Sequence, residues 1–146
     1  MDLVLAPDVF VNASVAPGEP PDRVAQRVLG KPTHKVKTTK WILDRTKAML
    51  LAHPGFKKDQ IDAHVALITG LVDVLEVEGD FKPEEWAEAL SACAKKAGLD
   101  RVVTDHPDLL EKGTHDGVEF LSTENLLVEF AVPPPTPPPP PMPPKA

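Results

Sequence analysis

The sequence predicts an α/β protein, a three-layer α/β/α sandwich built on a mainly parallel central sheet. Three observations predict it. Short, almost wholly apolar runs such as LVLA (3–6) and RVVT (101–104) have the character of strands covered on both faces. The stretches between such runs keep helical spacing, and no hairpin signal is read between any two runs. Carboxylates follow two of the runs directly, Asp8 after the first and Asp105 after RVVT. In parallel sheets the ligand site lies beyond the carboxyl ends of the strands, so these two acids are expected to face one site.

The elements follow in order. LVLA is the first strand and, being apolar throughout, is expected at the centre of the sheet. A second short run after Asp8 carries Asn12, and Pro17, Gly18, Pro20 and Pro21 mark a loop. Asp22 can cap the helix DRVAQRVLG, whose Val24, Val28 and Leu29 share a face and which Gly30 stops. HKVK (34–37) suits a short second strand. Thr38 or Thr39 caps the helix that follows, and Pro54-Gly55 breaks it. Ile61, Val65, Ile68 and Leu71 form the stripe of a further helix, with a strand from about Val72. FKPEEWAEALSACAKKAG reads as a helix with Pro83 near its first turn and Gly98 at its end. After RVVT come a short helix or turn, HPDLLEKG, a strand, GVEFLS, and a last helix capped by Ser122 or Thr123.

Of 146 residues, the last sixteen, AVPPPTPPPPPMPPKA, hold ten of the eighteen prolines and cannot join a core. The chain therefore divides into a domain at 1–130 and a proline-rich tail at 131–146, expected to be polyproline II or disordered and to pack against nothing in the monomer. The tail suits a linker or a ligand for a proline-binding partner protein. A single cysteine, Cys93, leaves no intramolecular disulfide and suits a reducing cytoplasm. No leader pattern opens the chain and no apolar run nears twenty residues, so a soluble cytoplasmic protein without a membrane role is expected. The net charge is −6, unevenly spread: residues 1–56 hold eight Lys/Arg against five Asp/Glu, the remainder eight against seventeen. Six of the cations fall between Lys31 and Lys47, either a phosphate-docking patch or a solvated helix with its approach loop.

Taken together, the short strand, Asp8-x-x-x-Asn12, the later VVT-D-x-x-D-LL (102–110) and GVEFLSTENLL (117–127) resemble the PIN domain family. The resemblance spans roughly residues 3–130 and implies a metal-dependent ribonuclease, including the toxin of a toxin–antitoxin pair. It implies three or four carboxylates holding Mg²⁺ or Mn²⁺, hard cations that prefer oxygen ligands. A water on such a metal can attack a phosphodiester. Carried over by position, Asp8 is the first acid and Asn12 its support. Glu88, sixteen residues before Thr104, falls on the third. His106 stands where the fourth is usual, flanked by Asp105 and Asp108. Arg45 lies nearest the second, with Asp44 one residue before.

The expected catalytic set is thus Asp8, Glu88 and Asp105, with Asp108 and Asp44 as further metal ligands and Thr104 hydrogen-bonding a carboxylate. Each acid also has a plainer place: Asp8 as a turn or cap, Glu88 as a surface charge, Asp105 as the cap of the HPDLLEK helix, Asp44 paired with Lys40 or Lys47. Lys35, Lys37, Lys40 and Arg45 would dock an RNA backbone. An antitoxin or other protein partner and a homodimer follow from the resemblance. The rival expectation is a PIN-like binding module that has lost catalysis and whose tail recruits a protein partner. The five histidines lack ligand spacing for zinc, and Cys93, on an apolar helix face, reads as core.

Overall fold

In the computed structural model, residues 1–131 are described; the tail call at 131–146 lies, apart from Ala131, outside the described residues. Six strands and seven helices alternate: β1 (Asp2–Val4), α1 (Pro7–Val15), α2 (Pro20–Val28), β2 (Lys35–Thr39), α3 (Lys40–Ala52), α4 (Lys58–Leu71), β3 (Asp73–Leu75), α5 (Trp86–Lys96), β4 (Arg101–Val103), α6 (Pro107–Lys112), β5 (Thr114–His115), β6 (Val118–Leu121) and α7 (Thr123–Ala131). The first three strands form the order β1-β2-β3 and the others β4-β6-β5. A parallel bridge between Leu5 and Val103, with the Ala6 N–H on the Val103 carbonyl at 2.9 Å, joins the two groups. The sheet therefore reads β3-β2-β1-β4-β6-β5, with β1 central, as its apolar character requires.

Leu3 to Ala6 are all buried, so both faces of β1 are covered. On one side α5 packs across β1, β2, β4, β5 and β6, contributing Leu90, Cys93 and Ala94 to the core. Val9 and Phe10 of α1, Val24 and Val28 of α2 and Leu126 of α7 join the same core from the other helices. A second cluster, Val11, Leu50 and Ile61, ties α1 to α3 and α4. The layered, mainly parallel class is the one expected, and its exception is local.

That exception is the antiparallel pair β5–β6. Asp116 and Gly117 join its strands with φ of 52° and 81°. Both angles are positive, as a two-residue turn matched to strand twist demands, and Asp-Gly is the sequence that supplies them. The expectation of no hairpin signal is corrected here. The run at 9–13 is also corrected: it is not an isolated apolar run but the body of α1. Pro7 opens that helix, and Val9, Phe10 and Val11 are all buried because helices and sheet enclose it. Pro83 lies ahead of α5, not in its first turn, because Glu85 adopts φ −86° and ψ 58°, outside the helical region. LVLA yields two residues of β1 and then the Leu5 bridge.

Candidate functional site

Asp8 follows Pro7 in the first turn of α1 and is 7% exposed. The Thr104 hydroxyl donates to its Oδ1 at 2.8 Å, and the Asp105 N–H donates to its Oδ2 at 2.8 Å. Thr104, fully buried, in turn accepts the His106 N–H on its oxygen at 3.1 Å. Asp8 is thereby stapled to the carboxyl end of β4. Burial pushes its carboxyl above the ordinary aspartate value. The Asp105 N–H and Thr104 hydroxyl oppose that rise, the Asp105 charge adds to it, and His106 lowers it.

Asp105 is half-buried, and its carboxylate is engaged elsewhere. Oδ1 accepts the Thr123 N–H at 2.8 Å and Oδ2 the Thr123 hydroxyl at 2.5 Å. It therefore caps α7, whereas α6 is capped by His106, whose Nδ1 accepts the Asp108 N–H at 3.2 Å. The expected cap of HPDLLEK by Asp105 is replaced by this arrangement. A cap can reach a neighbouring helix start as readily as its own, since only the donor geometry matters. Thr123 is the member of this relay that the sequence shows only as an alternative helix cap.

The remaining predicted residues stand apart. Glu88 on α5, Asp44 on α3 and Asp108 on α6 are exposed. Among the described residues, no group of three or more Asp, Glu, His or Cys side chains is arranged to hold a metal ion. Mg²⁺ and Mn²⁺ need several oxygen ligands around one point. Asp8 and Asp105 each accept one protein hydrogen bond on either oxygen, and among the described residues Glu88, Asp44 and Asp108 do not gather with them into such a group. Asn12, half-buried on α1, shares a shallow concavity with Asp105.

The cations are dispersed as well. Lys37 is paired with Asp73 at 2.7 Å and Lys47 with Asp62 at 2.9 Å, in place of the expected pairing of Lys47 with Asp44. Lys35 opens β2 and Lys40 follows its end, so the strand separates them by roughly 16 Å. The Arg45 Nε is enclosed without a hydrogen-bond partner among the described residues.

Aromatic rings gather around His106. His106 lies against Trp86 with ring centroids 4.9 Å apart, and Trp86 meets Trp41 edge-on at 5.9 Å. The Trp41 indole N–H donates to the Lys82 carbonyl at 3.2 Å. Trp41 and Trp86 sit at the core edge, half-buried.

The strand order, the central β1 and the Asp8 staple across the carboxyl ends of the strands define a PIN-like fold. Two solved structures share it. A chain of VapBC2 from Rickettsia felis, bound to a DNA fragment from its promoter, aligns with a TM-score of 0.60 at 9% identity, over 84% of this chain and 98% of that one. Mycobacterium tuberculosis VapC20, a sarcin–ricin-loop-cleaving toxin, aligns with a TM-score of 0.54 at 16% identity, over 78% of this chain and 97% of that one. No protein-family model and no curated protein matches the sequence. Among the described residues, no helix is long and apolar enough to cross a membrane.

Proposed function

We propose that this chain is a PIN-like module that works by binding a protein partner and does not cleave RNA. One observation carries the reading. Both oxygens of Asp8 and both of Asp105 accept a hydrogen bond from the protein, in a relay that holds α1, β4 and α7 together, and among the described residues no third acid gathers with them. The acids of the strand ends thus serve the fold, and His106 and Trp86 fill the place of a further acid. The likeness to VapBC2 makes an antitoxin-type protein the first partner to test.

The likeness to VapC20, described as cleaving the sarcin–ricin loop, favours a second reading: a ribonuclease dependent on Mg²⁺ or Mn²⁺. Its acids would come from Asp8, Glu88 and Asp105, with Asp44 and Asp108 in support. One experiment separates the two. The full chain is incubated with a ribosomal RNA fragment in Mn²⁺ or Mg²⁺, and its melting temperature is followed with each metal. The binding-module reading expects no cleavage above a chelator control and no metal-dependent stabilisation. Cleavage that needs metal and disappears in Glu88→Gln would reverse it, since Glu88 is exposed and its loss leaves the relay intact.

A further inference from the structure

A cleft of about 880 Å³ opens at the β3 edge of the sheet, and its Trp41 connects through Trp86 and His106 to the Asp8 relay. Trp41, Leu43, Val65, Val74, Leu75 and Phe81 give it an apolar lining with two aromatic rings. The Trp41 ring is held by its bond to the Lys82 carbonyl and by its edge-on contact with Trp86. The cleft rim carries Asp44, Glu76 and Asp80, and Glu78 lies in the same loop. Lys47 on the rim is already paired with Asp62.

We propose that this cleft receives the chain's own proline-rich segment, contrary to the sequence expectation of a tail that packs against nothing. The chemistry is complementary. Proline segments offer no N–H for a strand ladder and enter apolar, aromatic-lined grooves at small entropic cost. Residues 132–146 carry ten prolines and one charged side chain, Lys145, against a rim where Asp44, Glu76 and Asp80 outnumber Lys40 and Lys47. The reach is sufficient. The described chain ends at Ala131, where Phe130 lies against His34 and the Arg27 guanidinium. His34 immediately precedes β2, and the end of β2, Thr39, lines the cleft. Fifteen residues at about 3.1 Å each span roughly 46 Å, against the roughly 16 Å length of β2. A tether this short gives a high effective concentration, so the segment of the same molecule is favoured over any other. This occupancy is separate from the partner proposed above; its rim includes Asp44, one of the acids of the ribonuclease reading.

The test uses the full chain with Ala146→Cys. Cys93 is fully buried, with its thiol pushed up to about 12, so a thiol dye labels the tail end alone. Energy transfer from Trp41 and Trp86 to the dye reports docking. The expected result is transfer several-fold above that of a chain with Ser at positions 137–141, independent of protein concentration. It should fall to the Ser-tail level in Val74→Asp, a change the fold tolerates because Val74 is 46% exposed. Transfer equal to the Ser-tail control, or unchanged by Val74→Asp, overturns the proposal. So does transfer that rises with concentration, which would place the segment in a neighbouring copy.

Discussion

Asp8 is the residue on which the reading of the site turns. Asn at this position keeps the shape but presents an NH₂ to one of two donors. Either the Thr104 hydroxyl or the Asp105 N–H then loses its acceptor in a buried setting. Asp8→Asn should therefore cost about 1–3 kcal/mol in urea unfolding, and Asp8→Ala at least as much. An Asn variant as stable as the wild type, or more so, is what a crowd of repelling acids would give, and would refute the staple. The pH dependence has a definite sign. Burial raises the folded-state value of Asp8 above 3.8, so the native state holds the proton more tightly than the unfolded one. Stability from this group is fully present below the ordinary value and is lost as pH rises through the raised one. The stability gap between wild type and Asp8→Ala should widen as pH falls from about 7 towards about 4. A gap that narrows on acidification would contradict it. Position after two buried strands marked Asp8 and Asp105 as residues of one sheet end, with Thr104 beside the second. The direction each carboxylate takes was hidden, because a strand-end acid can face a ligand, its own helix or a distant one with the same local pattern.

At the level of elements, legibility followed periodicity. The α3 helix and its Thr39 cap, the α4 stripe and β4 were readable because each has one covered face or a continuous apolar run. The α1 helix was not, since five successive residues, Pro7 to Val11, are buried and neither a period of two nor of 3.6 survives. The β5–β6 turn carried its signal openly in Asp116-Gly117, outweighed by the alternation of strands and helices around it. Its geometry makes a prediction. Gly117→Ala meets no neighbouring atom but must hold φ at 81°, so strain is its only cost, roughly 1 kcal/mol. Urea unfolding checks it; an unchanged midpoint would mean that the turn relaxes to another type.

For the whole molecule, charge placement bears on partners more than net charge does. With Lys37 paired to Asp73 and Lys47 to Asp62, part of the cluster seen in the sequence is already neutralised within the protein. Single-stranded RNA should bind weakly and with a shallow salt dependence, and Lys35→Glu should leave that slope unchanged. A steep slope in a filter-binding titration, reduced by about one counterion in Lys35→Glu, would restore the RNA-docking surface.

The relay that closes the strand ends also sets an order of events for the growing chain. Asp8 waits for Thr104 and Asp105, 96 and 97 residues later, and Asp105 waits for Thr123, 18 residues further on. The central strand is thus the first to leave the ribosome and among the last to gain all its partners. Until Thr104 and Asp105 emerge, the Asp8 carboxylate has no donors to justify burial, and the β1 neighbourhood must stay open. Contacts this distant in sequence slow the search for the native state and lengthen the exposure of apolar strands. Full assembly of this sheet therefore waits on Thr104, Asp105 and Thr123, far along the sequence from the central strand.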